Sequence, residues 1–276
     1  MIRGQTLRSL RFFWLDHLGV PREIFVSLNS LAMTRKNSAA FTLIELLIVI
    51  TIIAVLAGIA LPAYNGVKER GDQTKDLSNA KQIALALRQF AIDNNGAYPN
   101  KQPDAAAKGD YSAAAATAPV NSNEAFWWLF PNYLQTEQIF AVTGSAYTPS
   151  NPDNKIDNPA TTGKVDTLKA GENTYAYVSG LSDTSNSTFP LIADGFATGS
   201  TPANPVYVTQ KAQKGGVWSG KKAVVVLCDS SGQLMRVDPA NLYVTRTDST
   251  GAKVNMFKGV AADWFDPVAN PVLNPQ

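Results

Sequence analysis

From Phe41 to Ala63 the chain reads FTLIELLIVITIIAVLAGIALPA, about 23 residues in which Glu45 is the only charge. A helix of that length crosses a hydrocarbon core of roughly 30 Å, so the segment predicts a membrane span. Arg35 and Lys36 stand just before the run, and the first basic residue after it is Lys68. That bias places the N-terminus in the cytoplasm and everything beyond Tyr64 outside. A cleaved secretory signal has an apolar stretch of only about 7–15 residues before a small-residue cleavage site. The run here is longer and passes into a helical pattern, which leaves Ala57-Gly58-Ile59-Ala60 as the lesser alternative for a signal cut.

Composition narrows what the remainder can do. The only histidine is His17 and the only cysteine is Cys228. Residues 41–276 therefore lack the imidazole that Ser-His-Asp, Cys-His and His-ligated metal chemistry require, and no intramolecular disulfide or cysteine-rich zinc module can form. Residues 1–40 hold six of the 24 basic residues and two of the 22 acidic ones, so the rest has 18 bases against 20 acids, a net charge of about −2. A basic footprint for nucleic acid is missing, and no cofactor is implied; any metal site would need oxygen ligands.

Within the span Glu45 is costly, at about 2.5–3.5 kcal/mol for an acid at the centre of a membrane helix. Two readings stand on the residues alone: the carboxylate lies about one helical turn from the surface and snorkels into the headgroups, or it pairs with a cation. Phe41-Thr42-Leu43-Ile44-Glu45-Leu46 followed by an apolar helix resembles the N-terminal methylation motif of type IV pilins and type II secretion pseudopilins. The resemblance implies cleavage between Ala40 and Phe41 by a prepilin peptidase, N-methylation of Phe41, and use of the span as the packing helix of a filament. It also implies that Glu45 pairs with the Phe41 amine of a neighbouring subunit. The position before the cut is most often glycine in that family and is Ala40 here. The 40-residue leader is long, and the stretch from Met33 to Ala40 alone has the short basic form of the family, so Met33 is the expected start. The preceding residues, with Phe12-Phe13-Trp14-Leu15 and scattered arginines, read as misassigned upstream translation in preference to an amphipathic surface helix.

Beyond the span, Leu77, Ala80, Ala84, Leu87 and Ala91, with Ile83 and Phe90 beside them, recur at three- and four-residue spacing and predict one apolar helical stripe. Pro62 removes a backbone donor, so a kink or loosened turn is expected near Gly58 to Pro62. Asn94-Asn95-Gly96 supplies the stop. Residues 100–122 read as a surface connection, and Phe126-Trp127-Trp128-Leu129-Phe130, with Tyr133, Leu134 and Phe140, as a short helix and turn packed into a core. Strands are predicted at Thr174–Ser179, Leu191–Ala193, Val206–Thr209, Lys222–Cys228, Gln233–Val237, Leu242–Thr245 and Val254–Phe257, with Asp229-Ser230-Ser231-Gly232 turning the clearest hairpin. Cys228 reads as a small buried hydrophobe. Asn79 to Asn95 with Tyr98-Pro99, Thr174-Tyr175-Ala176-Tyr177-Val178 and the final hairpin are similar to exported pilin-like proteins of Verrucomicrobia and related bacteria. The tryptophan-glycine segment of a type II secretion major pseudopilin and the paired C-terminal cysteines of many type IV pilins are absent from the sequence.

The expected fold is α+β and type IV pilin-like: one long N-terminal helix packed on an antiparallel sheet head. Its parts are a leader at 1–40, a transmembrane and filament-packing helix at 41–63, an amphipathic continuation at 64–95, and a periplasmic head at 96–276. Asn151, Asp153, Asn154, Asp157 and Asn158 form the best local set for calcium, with Asp153 and Asp157 as its carboxylates, but the spacing is not that of an EF-hand and a solvated loop is the expectation. Asp183, Asp194 and Asp229 are the acids available for glycoside hydrolysis, although turn and cap roles account for each. The expected function is a non-enzymatic filament subunit of a type II secretion pseudopilus or type IV pilus-like filament. Its partners are other copies of itself or other pilins, the prepilin peptidase, an assembly platform and the bacterial inner membrane. The alternative is a membrane-tethered periplasmic protein that binds polysaccharide or a secreted substrate through the aromatic cluster.

Overall fold

The computed structural model describes residues 41–158, 160, 163–260 and 263–276. The leader, including His17, Met33 and Ala40, lies outside the described residues. Helix α1 spans Leu43–Asp93 and includes Gly58 and Pro62, where a kink or loosened turn is expected. The chain nevertheless divides into two compact units between Ala57 and Gly58.

In the first unit every described residue is exposed, including the side chains of Leu43, Ile44, Leu47, Ile50 and Ile53. Among the described residues, α1 is the one helix long and apolar enough to cross a membrane.

In the second unit α1 buries Ala80, Ile83, Ala84, Leu87, Phe90 and Ala91, the stripe that the spacing predicts, with Leu77 packed at its edge. The stripe also extends toward the N-terminus through three buried polar residues, Gln73, Asp76 and Asn79. The helix ends where Asn95 and Gly96 adopt left-handed backbone, at φ 54° and 81°, and the Gly96 N–H donates to Ala91 O at 2.8 Å. The positive φ favours glycine, and a side chain at Gly96 would also have to displace the Asp183 carboxylate.

Five antiparallel strands form the main sheet in the order β4-β3-β2-β1-β7: β1 Tyr175–Val178, β2 Pro190–Asp194, β3 Lys222–Leu227, β4 Gly232–Arg236 and β7 Val272–Leu273. Every residue of β1 and β2 is buried, and since successive side chains point to opposite faces, both faces of these central strands are covered. The β3–β4 hairpin pairs Lys222 with Arg236 through Val226 with Gly232, and the Asp229 carboxylate accepts the Ser231 N–H in its turn. Strands β5 Thr245–Thr247 and β6 Lys253–Asn255 form a separate two-stranded ribbon.

Three strand expectations need correction. Val206–Thr209 is loop: the Tyr207 and Val208 amides donate to Leu242 and Gly215, two different segments, so no ladder forms. The strand expected at Leu242–Thr245 starts only at Thr245, because Leu242 has left-handed backbone at φ 59°. The strand at Val254–Phe257 stops at Asn255, whose side chain accepts the Phe257 N–H and turns the chain. Strand β7 was missed, being two residues between Pro271 and Asn274-Pro275, too short to show a period.

Short helix α2, Ser122–Trp127, is capped by Asn121, whose side chain accepts the Glu124 N–H. It delivers Phe126 and Trp127 into the core, where the Phe126 ring lies 5.2 Å from Tyr177 and 5.4 Å from Phe140. Cys228 is buried, as expected, and burial pushes its thiol up to about 12.

Candidate functional site

The first turn of α1 closes on itself. The Thr42 N–H and hydroxyl both donate to Glu45 Oε2, at 2.9 and 2.7 Å, while the Glu45 N–H donates to Thr42 Oγ1 at 3.2 Å. This reciprocal pair is a capping box, a threonine followed three residues later by glutamate, which satisfies orphan donors of the first turn. The spacing was present in the sequence and its capping role was overlooked. Both donors fall on one carboxylate oxygen, which leaves Oε1 free of the cap. Phe41 stands immediately outside the helix with an exposed side chain. Thus the acid that the span makes costly is held, within a single chain, by its own helix N-terminus, through one of its two oxygens.

The aromatic cluster offers no comparable surface. Phe126, Trp127, Trp128, Leu129 and Phe130 are all buried, and both indoles are engaged: Trp127 Nε1 donates to Asp157 Oδ2 at 2.9 Å and Trp128 Nε1 to Lys101 O at 2.8 Å. Ligand capture through this cluster, the alternative expectation, is therefore not favoured.

The calcium candidates part company. Asp157 is consumed by the protein, accepting from Trp127 Nε1 and from the Val165, Asp166 and Thr167 amides. Asp153 instead meets Lys155 and Lys169 at 3.2 and 3.1 Å, and backbone and lysine donors hold its carboxyl down at about 2. It also converges with Glu137 and Glu172, which the sequence reading did not single out; one carboxylate oxygen from each of the three lies within 4.8 Å of the others. Burial pushes Glu137 up to about 7, with the Glu172 and Asp153 charges adding to the effect.

The three acids considered for hydrolysis have separate roles. Asp229 serves the hairpin turn and Asp183 abuts Gly96, while Asp194 is fully buried and faces Asp76 of α1. Asp76 accepts from Tyr175 OH at 2.7 Å and Trp218 Nε1 at 3.1 Å; Asp194 Oδ2 accepts the Val224 N–H at 2.8 Å. No lysine or arginine forms an ion pair with either acid among the described residues, and Asp194 Oδ1 has no donor there. Burial, and for Asp194 the charge of Asp76, raises both carboxyls above their ordinary range. The pair ties the helix to the sheet.

Comparison with known proteins bears on the capped first turn and the apolar run behind it. The prokaryotic N-terminal methylation motif matches residues 35–61. The chain carries a prepilin-type N-terminus. The chain is 36% identical to the type II secretion system core protein G of Aeromonas hydrophila over 70 residues, which is 25% of this chain and 48% of the relative. The protein of the same name from Pectobacterium carotovorum subsp. carotovorum is 35% identical over 74 residues, covering 27% and 47%. That from Klebsiella michiganensis is 25% identical over 143 residues, covering 51% of this chain and 87% of the relative. The chain thus spans about half the length of the first two relatives. No solved structure matches it.

Proposed function

We propose that the chain is a pilin-like structural subunit of a type II secretion pseudopilus or type IV pilus-like filament, with no catalytic role of its own. A prepilin peptidase cuts between Ala40 and Phe41 and the new amine is N-methylated. Residues 41–63 hold the subunit in the bacterial inner membrane with the head, 96–276, on the periplasmic side, until an assembly platform draws it into the filament. The methylation motif over residues 35–61, whose part from Leu43 onward lies on an apolar and exposed helical segment, is the observation that carries this reading. An apolar surface of that extent needs lipid or other subunits to cover it.

Glu45 supplies the register. The capping box engages Oε2, so Oε1 is available to the Phe41 ammonium of a neighbour, and two charges leaving the headgroup region satisfy each other. Glu45→Gln isolates that role, because glutamine also serves at this position of a capping box. In a host with the assembly machinery, the variant is expected to be cut and membrane-bound yet absent from sheared filaments. Filaments at the wild-type level in Glu45→Gln would refute charge pairing as the basis of assembly.

A further inference from the structure

The β3–β4 hairpin sets two cations side by side. Lys222 is paired in register with Arg236, and directly paired residues of neighbouring strands present their side chains on one face, with Cβ atoms about 5 Å apart. Like charges so placed repel each other, and Lys221 adds a third beside them. All three residues are exposed, and none forms an ion pair among the described residues. Asp238, the acid of the adjoining loop, is turned onto its own turn, where its carboxylate accepts the Ala240 N–H at 2.8 Å and the Asn241 amide at 3.1 Å. The three bases border an open groove of about 410 Å³ whose remaining side chains are Leu234, Val237 and Pro239. Three unpaired cations around an apolar floor, with no carboxylate in the walls, call for an anion from outside the chain.

Their place along α1 says which anion. Lys222 Nζ donates to Gln73 Oε1 at 3.3 Å, whereas the turn at the other end of the hairpin carries Asp229, on which the charge of Arg88 acts. The groove therefore lies at the end of the head nearest the apolar run. The exposed Arg70 stands seven residues before Leu77, on the helix face that meets Gly232 of β4, and adds a fourth base on that side. We infer that this groove docks the head on an anionic phospholipid surface, with Lys221, Lys222 and Arg236 against the lipid phosphates. Gln73 follows Ala63, the last residue of the apolar run, by ten positions, or about 15 Å of helix, while the headgroup layer is about 5–7 Å deep. The difference is about one Debye length, about 8 Å at physiological salt, and a stem tilted by about 20°, as typical spans are, brings the groove closer on the side to which it leans. The inference rests on the reading that residues 41–63 span the membrane with the head outside, and it requires neither the cut before Phe41 nor filament assembly.

Lysine acetylation of the full chain, read by peptide mass spectrometry, tests this in vesicles of phosphatidylcholine alone and of equimolar phosphatidylcholine and phosphatidylglycerol. Lys221 and Lys222 are expected to react several-fold more slowly in the anionic vesicles. The exposed Lys108, in a loop beside Asn132, is expected to react equally in both. Each basic side chain near an anionic surface is worth about a fivefold change in association, so Lys221→Gln combined with Arg236→Gln is expected to remove the protection of Lys222. Lys108→Gln combined with Lys155→Gln, which removes the same charge elsewhere, is expected to keep it. Equal reactivity of Lys221 and Lys222 in the two vesicles overturns the inference, as does protection of Lys222 that survives the loss of Lys221 and Arg236. Protection in neutral vesicles by inorganic phosphate alone would assign the groove to a free anion. Protection in neutral vesicles that rises with the protein-to-lipid ratio would assign it to a second copy of the chain, and either result overturns docking on lipid. A chain that fails to float with neutral vesicles overturns the span and the inference together, whereas an uncut chain that shows the protection supports the inference without the pilin pathway.

Discussion

The two ends of helix α1 are built from similar residues to opposite effect. From Leu43 to Leu61 nearly every position is apolar and all are exposed, so this part is selected by what surrounds the protein and by no contact within it. From Gln73 to Ala91 the apolar residues, the exposed Leu85 apart, fall on one stripe that packs into the same core as the sheet. The second stretch admits polar side chains at buried positions, because the sheet and the loop before β3 return partners: Tyr175 and Trp218 for Asp76, and Lys222 for Gln73 at 3.3 Å. The first has one acid, Glu45, placed where the helix's own first turn can hold it. Burial within the chain therefore tolerates polarity that is matched by a neighbour, whereas along the exposed apolar run the one charge stands at the helix end.

The largest expected contrast comes from equivalent truncations at the two ends. Leu87→Ala removes a fully buried side chain and is expected to destabilise the head by about 2–5 kcal/mol. Ile52→Ala, at an exposed position, is expected to leave the head's melting temperature unchanged when both full chains are unfolded in detergent. Equal losses from the two substitutions would break the distinction.

A smaller effect concerns the Asp76–Asp194 pair. Both carboxyls are raised in the folded head, so their contribution is fully present below the ordinary carboxyl range near pH 4 and is lost as pH rises through the folded values. The head is expected to melt progressively lower as the pH is raised from about 4 toward 8. Asp194→Asn keeps an acceptor for the Val224 N–H and gives Asp76 a permanent donor, so its melting curve should lose this slope and lie above the wild type at pH 8. A slope unchanged in the variant would mean that other groups set the pH dependence.

How much was legible in the sequence follows the same division. The span, the stripe from Leu77 to Ala91, the Asn-Asn-Gly stop and the β3–β4 hairpin are local patterns and could be read directly. Asp76 and Asp194 stand 118 positions apart on a helix and a strand, and Glu137 and Glu172 join Asp153 through loop packing, so none of these groupings has a sequence period. The aromatic run at 126–130 was correctly read as core because five large side chains in succession cannot all remain wet. Tyr207, by contrast, lies in an apolar stretch that looks like a strand, yet its amide partner is Leu242, which only the tertiary fold could supply.

The smallest expected effect lies at the capped turn. Thr42→Ala removes both hydroxyl bonds of the capping box and is expected to cost about 1 kcal/mol of local helix stability. It would appear as faster amide exchange at Leu43 to Leu46, with the head unaffected. Exchange that speeds up across Ile83 to Ala91 as well would show that the two ends of α1 are not independent.

The most direct test of the subunit reading is the mass of the mature N-terminal peptide, from membranes of a host that contains a prepilin peptidase. A peptide beginning at N-methylated Phe41 is the expected result. A peptide that still begins at Met1 or Met33, with Ala40 joined to an unmodified Phe41, would contradict it.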